Sequence, residues 1–203
     1  MVRSESKGRP SEARSRLLDT ACRLFYAEGI RAVGVDRIAT EARVTRATFY
    51  RHFAGKEDLV LAYLGEADAA MRRRADEASA AGLPAADTIR ALSKSIARGI
   101  QSPGYRGCAF LNAVAEFPDP DHPIHLAVIA HRQWLLDKVT ELLGDIRETP
   151  AEAAAHHYVM MRDGATAAGC LFDPAMVCDT FLHGVEALLR NHVIDREIEP
   201  TGI

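Results

Sequence analysis

The chain has 203 residues, of which 48% are hydrophobic and 26% charged, and its formal net charge at pH 7 is −3. This composition is typical of a globular protein of one or two domains with a substantial core, and it argues against a membrane protein because no apolar run approaches the ~18–20 residues of a membrane span. The opening MVRSESKGRP lacks the apolar middle of a secretory signal, and the four cysteines form no CxxC pair. We therefore expect a cytoplasmic protein with reduced thiols.

The charge is unevenly distributed. Residues 1–60 contain 12 Lys and Arg against 8 Asp and Glu, a net charge of +4, whereas the remainder contains 13 against 20, a net charge of −7. A basic N-terminal part on an acidic body indicates that the N-terminal part meets a polyanion.

The first helices are short and clearly bounded. Leu17, Ala21, Leu24 and Phe25 recur at helical spacing between residues 11 and 28, and Gly29 supplies a C-terminal stop. Two short helices are predicted at about 36–42 and 45–53. A long helix then begins at AGKED and runs to about Ser79.

Proline and glycine punctuate the rest of the chain. Helices are predicted in PAADTIRALSKSIARGIQSPG, in YRGCAFLNAVAEF and over 121–144. TPAE at 149–152 and DPAM at 173–176 each combine an N-cap side chain with a following proline, and the last helix is expected to end near His192. About nine helices and no convincing strand predict an all-α fold.

The third predicted helix combines two chemistries. VTRATFYRHFAGKEDL, residues 44–59, contains hydroxyls, aromatics and cations within little more than two turns. Phe49 and Phe53 are predicted to enter a three-helix core with Leu24, Phe25 and Ile38, and the polar groups to face outward. Three short helices arranged in this way describe a helix-turn-helix unit, whose recognition helix enters the DNA major groove.

Residues 16–64, RLLDTACRLFYAEGIRAVGVDRIATEARVTRATFYRHFAGKEDLVLAYL, resemble the DNA-binding region of the tetracycline-repressor-like (TetR) family. The resemblance implies a homodimeric transcriptional regulator, in most cases a repressor, that releases a palindromic operator when a small molecule occupies its C-terminal domain. Two departures concern the DNA-binding mode. Val33 and Gly34 stand where the family often has hydroxyl residues, and Arg43 stands where it often has a turn glycine.

With this resemblance, the chain divides into a basic flexible arm at 1–10, a helix-turn-helix DNA-binding domain at 11–56 and a helical effector-binding and dimerisation domain at 57–203. The arm region contributes Arg3, Lys7 and Arg9, continued by Arg14 and Arg16, and could lie along DNA or remain a solvated tail.

The expected DNA contacts come from the outer face of the third helix and its flanks. Arg46 can donate two hydrogen bonds to guanine, Thr48 can meet a thymine or a phosphate, and Lys56 lies at a helix N-terminus suited to phosphate. Local packing or solvated charge is the alternative for each. The complete set is Arg37, Thr45, Arg46, Ala47, Thr48, Tyr50, Arg51, His52 and Lys56.

No pattern in the chain indicates catalysis or a cofactor. GxSxG, HExxH, Walker and dinucleotide motifs are all missing from the sequence. The candidates for a metal site are His122, His125, His131, His156, His157 and Glu116. The H-x2-H spacing in HPIH straddles a helix start and no carboxylate lies at a fixed offset, so capping or surface roles are expected for the histidines. We expect neither an enzyme nor a metal site.

An effector pocket is expected in the second domain, centred on the apolar stretch GCAFLNAVAEF at 107–117. Polar groups within so apolar a helix need partners. The candidate pocket residues, for which core packing is the alternative, are Cys108, Asn112, Glu116, His131, Trp134 and Arg162.

The last two helices are candidates for a dimer interface. GATAAG at 164–169 allows close helix approach, and the final helix carries apolar residues at helical spacing. The candidates are Ala165, Ala168, Phe181, Val185, Leu188 and Leu189, with packing inside one chain as the alternative.

The leading hypothesis is a ligand-responsive homodimeric repressor that binds double-stranded operator DNA; an activator stays open. The alternatives are a helical small-molecule-binding protein or enzyme without specific DNA binding, and a nonspecific architectural DNA binder.

Overall fold

The structure is a computed structural model that describes residues 11–146 and 151–194. Within these residues the fold is all-α, as predicted, with nine helices and no strand. The helices are α1 (Glu12–Glu28), α2 (Val35–Glu41), α3 (Arg46–His52), α4 (Lys56–Ala80), α5 (Ala85–Ile100), α6 (Ala109–Glu116), α7 (Pro123–Ile146), α8 (Glu152–Ala168) and α9 (Pro174–Ile194). The predicted arm at 1–10, with Arg3, Lys7 and Arg9, lies outside the described residues.

Short-range capping explains where the first three helices begin and end. Ser11 accepts a hydrogen bond from the backbone N–H of Arg14, and Thr45 accepts one from Thr48. Gly29 ends α1 at a φ of 92°, a conformation that side-chain-bearing residues rarely adopt, and its N–H donates to the carbonyl oxygen of Phe25. The chain therefore turns sharply after α1, and α2 and α3 pack against α1.

The turn between α2 and α3 places Arg43 at a φ of 54°. It is the single non-glycine residue at positive φ among the described residues. The backbone N–H groups of Arg43 and Val44 donate to the carbonyl oxygens of Thr40 and Ala39, so the left-handed turn is fixed by hydrogen bonds. Arg43, which stands where the family often has glycine, thus adopts the left-handed backbone conformation that favours glycine.

The body consists of the longer helices. α5, α7, α8 and α9 pack against one another, α4 packs against α1, α5 and α7, and α6 lies between α4 and α7. Asp173 caps α9 through hydrogen bonds from the N–H groups of Ala175 and Met176, as DPAM predicted. α8 begins at Glu152, and Thr149 and Pro150 of the predicted cap lie outside the described residues. α7 continues two residues past Gly144, the predicted end.

Two hydrophobic clusters form the core, and the first crosses the predicted boundary at residue 56. It joins the aromatic side of α3 to Leu59, Val60, Tyr63 and Leu64 of α4 and to Phe110 of α6. The second cluster lies among α5, α7, α8 and α9. The N-terminal helices thus share their core with the body. None of the described helices has the length and apolar character needed to cross a membrane.

Candidate nucleic-acid interface and effector cavity

Helix α3 has an inner and an outer face, as predicted. Phe49 is 0% and Phe53 2% exposed, and both belong to the same cluster as Leu24, Phe25 and Ile38. Tyr50 is 47% exposed although its ring meets that of Phe49 edge-on at 5.2 Å. Polar groups on this outer face are accessible because the inner aromatics already anchor the helix.

The first turn of α3 is organised by local contacts. The Thr45 hydroxyl caps the helix and lies 2.9 Å from the Thr48 hydroxyl. Arg46 has an exposed guanidinium 3.1 Å from Asp36 and 5.7 Å above the Tyr50 ring. The pKa of Arg46 is raised first by the hydrogen bond with Tyr50 and then by Asp36. An exposed ion pair of this kind contributes little net stability, so a DNA base or phosphate can replace Asp36 at small cost.

His52 and Lys56 lie on the flank of α3 that leads into α4. His52 Nε2 is 3.2 Å from the Ser11 hydroxyl at the start of α1. Lys56 begins α4 and donates from Nζ to the carbonyl oxygen of Arg31 at 3.3 Å, and partial burial lowers its pKa. Gly55 caps α4 without a side-chain bond, which leaves backbone N–H groups available for an anion.

Arg37 differs from the other candidates because its guanidinium is already engaged. It donates to both carboxylate oxygens of Glu28, at 2.5 and 2.8 Å, and to Glu41 at 2.9 Å. Arg23 donates to the other oxygen of Glu41. The hydrogen bonds to Arg37 lower the pKa of Glu28, and those to Arg23 and Arg37 lower the pKa of Glu41. Arg37 therefore ties α1 to α2, while Ala47 and Arg51 are exposed on α3.

Val33 and Gly34, two of the three positions that depart from the family pattern, have different surroundings. Val33 is fully buried in the first cluster. Gly34 caps α2 with no side-chain hydrogen bond, at an ordinary φ of −87°, and a Cβ added there would meet nothing within 4 Å. The site tolerates a side chain, so glycine is not required by geometry.

A cavity of about 620 Å³ lies among α1, α4, α5, α6 and α8. It brings together two of the predicted pocket residues, Cys108 and Arg162, whose Sγ and Nη2 atoms are 3.4 Å apart. A cavity of this size is in the range that holds drug-sized ligands.

The other four predicted pocket residues do not line this cavity. Asn112 is exposed and donates to the carbonyl oxygen of Arg106. His131 is buried, stacks on Phe110 at 3.6 Å and bonds Asp68 through Nδ1 at 2.6 Å. Trp134 has the guanidinium of Arg72 4.4 Å from its ring centroid.

Glu116 joins the two parts of the chain. Its two carboxylate oxygens accept hydrogen bonds from the backbone N–H groups of Ile30, at 2.8 Å, and Arg31, at 2.6 Å. These groups follow the end of α1, so α6 connects Cys108 at the cavity wall to the turn before α2. Nothing in the order of residues indicates this pairing, because its members lie 85 and 86 positions apart. A carboxylate in an otherwise apolar helix was the only sequence signal.

A comparable cross-link was not predicted. Tyr26 of α1 donates its hydroxyl hydrogen to the carbonyl oxygen of Gly107 and accepts a hydrogen bond from the N–H of Arg106, both at 3.0 Å. The C-terminal end of α1 and the turn after it are therefore hydrogen-bonded to residues at both ends of α6.

The predicted dimer residues are mostly interior. Val185, Leu188 and Leu189 are buried in the second cluster of the same chain, so the intrachain alternative describes their packing. Ala165, Ala168 and Phe181 line an apolar groove of about 490 Å³ between α8 and α9. Large apolar side chains exposed on or beside these helices are Met160, Leu171, Phe172 and Met176.

An N-terminal helix-turn-helix with an exposed polar recognition face, attached to a helical body, defines a helix-turn-helix DNA-binding protein. Residues 17–63 match the family described as bacterial regulatory proteins, tetR family. The crystal structure of SCO4454, a TetR-family transcriptional regulator from Streptomyces coelicolor, is 61% identical, with 91% of this chain and 92% of that chain covered and a TM-score of 0.88. The chain belongs to the TetR family of transcriptional regulators, and its N-terminal domain is a DNA-binding domain.

More distant relatives resemble this chain over a smaller part of its sequence, or share its fold alone. The transcriptional regulator SrpR of Pseudomonas putida is 42% identical over 53 residues, which is 26% of this chain and 25% of SrpR. The chain thus matches only about a quarter of that relative's length. The reduced form of Escherichia coli NemR is 21% identical, with 87% of this chain and 97% of that chain covered and a TM-score of 0.75, and it shows a shared fold.

Proposed function

We propose that the protein is a homodimeric transcriptional repressor that binds a palindromic operator and releases it when a small molecule occupies the cavity. The observation that carries the proposal is the division of α3 into a buried aromatic face and an exposed polar face. Residues 11–56 bind DNA in this proposal, and residues 57–203 bind the effector and the second subunit.

The DNA contacts divide by chemistry. Arg46 at the start of α3 reads a base edge, with Ala47 and Thr48 beside it, and Thr45 acts mainly as the helix cap. Tyr50, Arg51, His52 and Lys56 meet phosphates, which fixes register without reading sequence. Arg37 serves in this proposal to join α1 to α2, because Glu28 and Glu41 occupy its donors.

The proposed dimer surface is the apolar groove between α8 and α9, which exposed Phe172 and Met176 also line, together with the exposed side chains of Met160 and Leu171. Exposed apolar side chains clustered in this way are uncommon on a monomer surface and mark interaction sites. A two-fold dimer would place two recognition helices about 34–36 Å apart, the separation of inverted half-sites.

Release follows if the effector binds better to the arrangement that does not fit DNA. The supporting contacts are those of Glu116 and Tyr26, which join the wall of the cavity to the end of α1. A ligand that shifts α6 must also shift this turn or break its hydrogen bonds.

The test selects genomic fragments that bind the purified protein, followed by affinity measurements on each base variant of the selected site. Arg46→Ala should lose discrimination at one base pair in each half-site, whereas Lys56→Ala should weaken all sequences alike. Arg98→Ala, a change at an exposed arginine of α5, serves as the control and should alter neither. Equal loss on every duplex from Arg46→Ala, or a selected site without two-fold symmetry, would contradict the proposal.

A further inference from the structure

We propose that the cavity binds an amphipathic organic anion, a carboxylate with an apolar body, and that Arg162 recognises the carboxylate. This inference rests on the proposed function, which it deepens by naming the chemical class of the effector. The argument uses the charge of the cavity wall, the state of Arg162 and the character of the remaining surface.

The cavity wall is cationic although the chain as a whole has a formal charge of −3. Three arginines, Arg23, Arg74 and Arg162, line it, and no Asp or Glu does. Arg23 is paired with Glu41, but Arg74 forms no salt bridge within the described residues. A ligand that enters the cavity therefore meets arginine side chains and no lining carboxylate, which favours an anion.

Arg162 is the buried member of the three, and its hydrogen bonding is incomplete. The residue is 3% exposed, and its Nε has no hydrogen-bond partner among the described residues. Of its other donors, Nη2 meets the Cys108 sulfur at 3.4 Å, and sulfur is a weak acceptor. A buried donor without an acceptor is costly, and a ligand oxygen would remove that cost.

The charge of Arg162 is also incompletely balanced. Its Nη1 lies 2.9 Å from Asp163, the adjacent residue. Arg132 binds the same carboxylate through both Nη1 and Nη2. Two guanidinium groups, both always protonated in proteins, thus share one carboxylate. The cluster keeps one positive charge, and its buried member Arg162 could share that charge with a ligand carboxylate through paired hydrogen bonds.

The rest of the wall suits an apolar body. Ala67, Met71, Ile96 and Phe110 contribute hydrocarbon surface. The hydroxyl of Tyr105 is committed to the backbone, since it donates to the carbonyl oxygen of Thr166 at 3.0 Å. The cavity therefore pairs a buried cationic group, Arg162, with an apolar surface next to it.

The test compares three ten-carbon probes, decanoate, decanol and decylammonium, by isothermal titration calorimetry on the full chain. Decanoate should bind with a Kd roughly 10- to 100-fold lower than decanol, the range of a charged hydrogen bond, and decylammonium should bind most weakly. Arg162→Met should remove the difference between decanoate and decanol. Arg98→Met should retain it.

The comparison of probes on the unmodified protein decides the question even if Arg162→Met fails to fold. Decanol binding as tightly as decanoate would overturn the inference, and so would a folded Arg162→Met variant that keeps the preference. Operator binding, measured separately with and without each probe, tests the proposed function. Release of the operator by decanol but not by decanoate would contradict the anionic effector and still support the ligand-responsive regulator. Tight decanoate binding without operator release would support the anion site and contradict the ligand-responsive regulator.

Discussion

The polar side chains of α3 and those around Arg162 are organised in opposite ways. On α3 they are exposed, and their partners lie within residues 11–52: Thr45 pairs with Thr48, Arg46 with Asp36 and His52 with Ser11. Arg162 at the cavity is buried, and besides the adjacent Asp163 it meets Cys108, 54 positions away. The comparison teaches that the DNA-facing surface depends on contacts within the first three helices, whereas the cavity depends on how the whole body packs.

The largest effect should come from the inner face of α3. Phe49→Ala removes a fully buried ring and should lower the free energy of unfolding by about 3–5 kcal/mol. Tyr50→Ala, one position along on the outer face, should change it by less than about 0.5 kcal/mol and weaken DNA binding instead. Urea unfolding and DNA titration of both variants measure the contrast. Similar stability losses in the two variants would show that the faces are not distinct.

The connection between the two regions gives the next effect. Glu116→Ala leaves the N–H groups of Ile30 and Arg31 without their acceptor and should cost about 1–3 kcal/mol of stability. Operator affinity should fall as well, because the turn before α2 loses its support. Glu66→Ala, at an exposed glutamate of α4, is the matched control, with an expected change below about 0.5 kcal/mol. An operator affinity unchanged by Glu116→Ala would show that the contact between α6 and the turn before α2 does not affect DNA binding.

A smaller effect should appear as a pH dependence in the body. Burial lowers the pKa of His131 below its ordinary 6.5, despite the hydrogen bond with Asp68. The unfolded chain then binds more protons than the folded one, so stability should fall as the pH drops below about 6.5. Burial raises the pKa of Asp68, but the hydrogen bonds with Arg72 and His131 outweigh burial, so the net pKa lies below the ordinary 3.8. The contribution of Asp68 to the pH dependence of stability is therefore confined to more acidic pH.

His131→Asn should flatten the stability profile between pH 7 and 5 in thermal unfolding, while His157→Asn, at an exposed histidine of α8, should leave the profile unchanged. A profile that still falls in His131→Asn would assign the acid sensitivity to another group.

The smallest effect concerns the cap of α2. Gly34→Ser adds a hydroxyl at an unstrained position with free space and should stabilise the protein by a few tenths of a kcal/mol. Gly29→Ser is the opposite case, because its φ of 92° is unfavourable to a side chain and a Cβ would lie 3.4 Å from Glu116. The chemical denaturation midpoint should therefore rise in Gly34→Ser and fall in Gly29→Ser. A lower midpoint in Gly34→Ser would contradict the expected capping role of the serine hydroxyl.

Local signals predicted the helices and the two faces of α3. Gly29, Thr45 and Asp173 each act on residues within four positions, so their roles can be read from the order of residues. The polar groups of the body could not be placed in the same way. Arg162 and Cys108 were both predicted as pocket residues, and they are in contact. Asn112 and Glu116 of α6, predicted for the same pocket, bind backbone groups elsewhere.

The reason is geometric. An α-helix has 3.6 residues per turn, so its side chains point in all directions around the axis. Which of them line a cavity depends on neighbouring helices that are remote in the chain. The same limit applies to Val185 and Leu188, whose apolar spacing fits an interface between subunits and an interface within one chain equally well. Exposure separates the two, and exposure is a property of the folded body.

The shared first cluster bears on the engineering of chimeric regulators. A graft cut after residue 56 would separate Phe49 and Phe53 from Leu59, Val60 and Phe110, which belong to the same buried cluster. A DNA-reading head moved to a foreign scaffold should therefore carry α4 through Leu64, together with substitutes for the side chains that α6 provides. Heads transferred without them would be expected to aggregate, because the hydrocarbon surface left behind has no native cover.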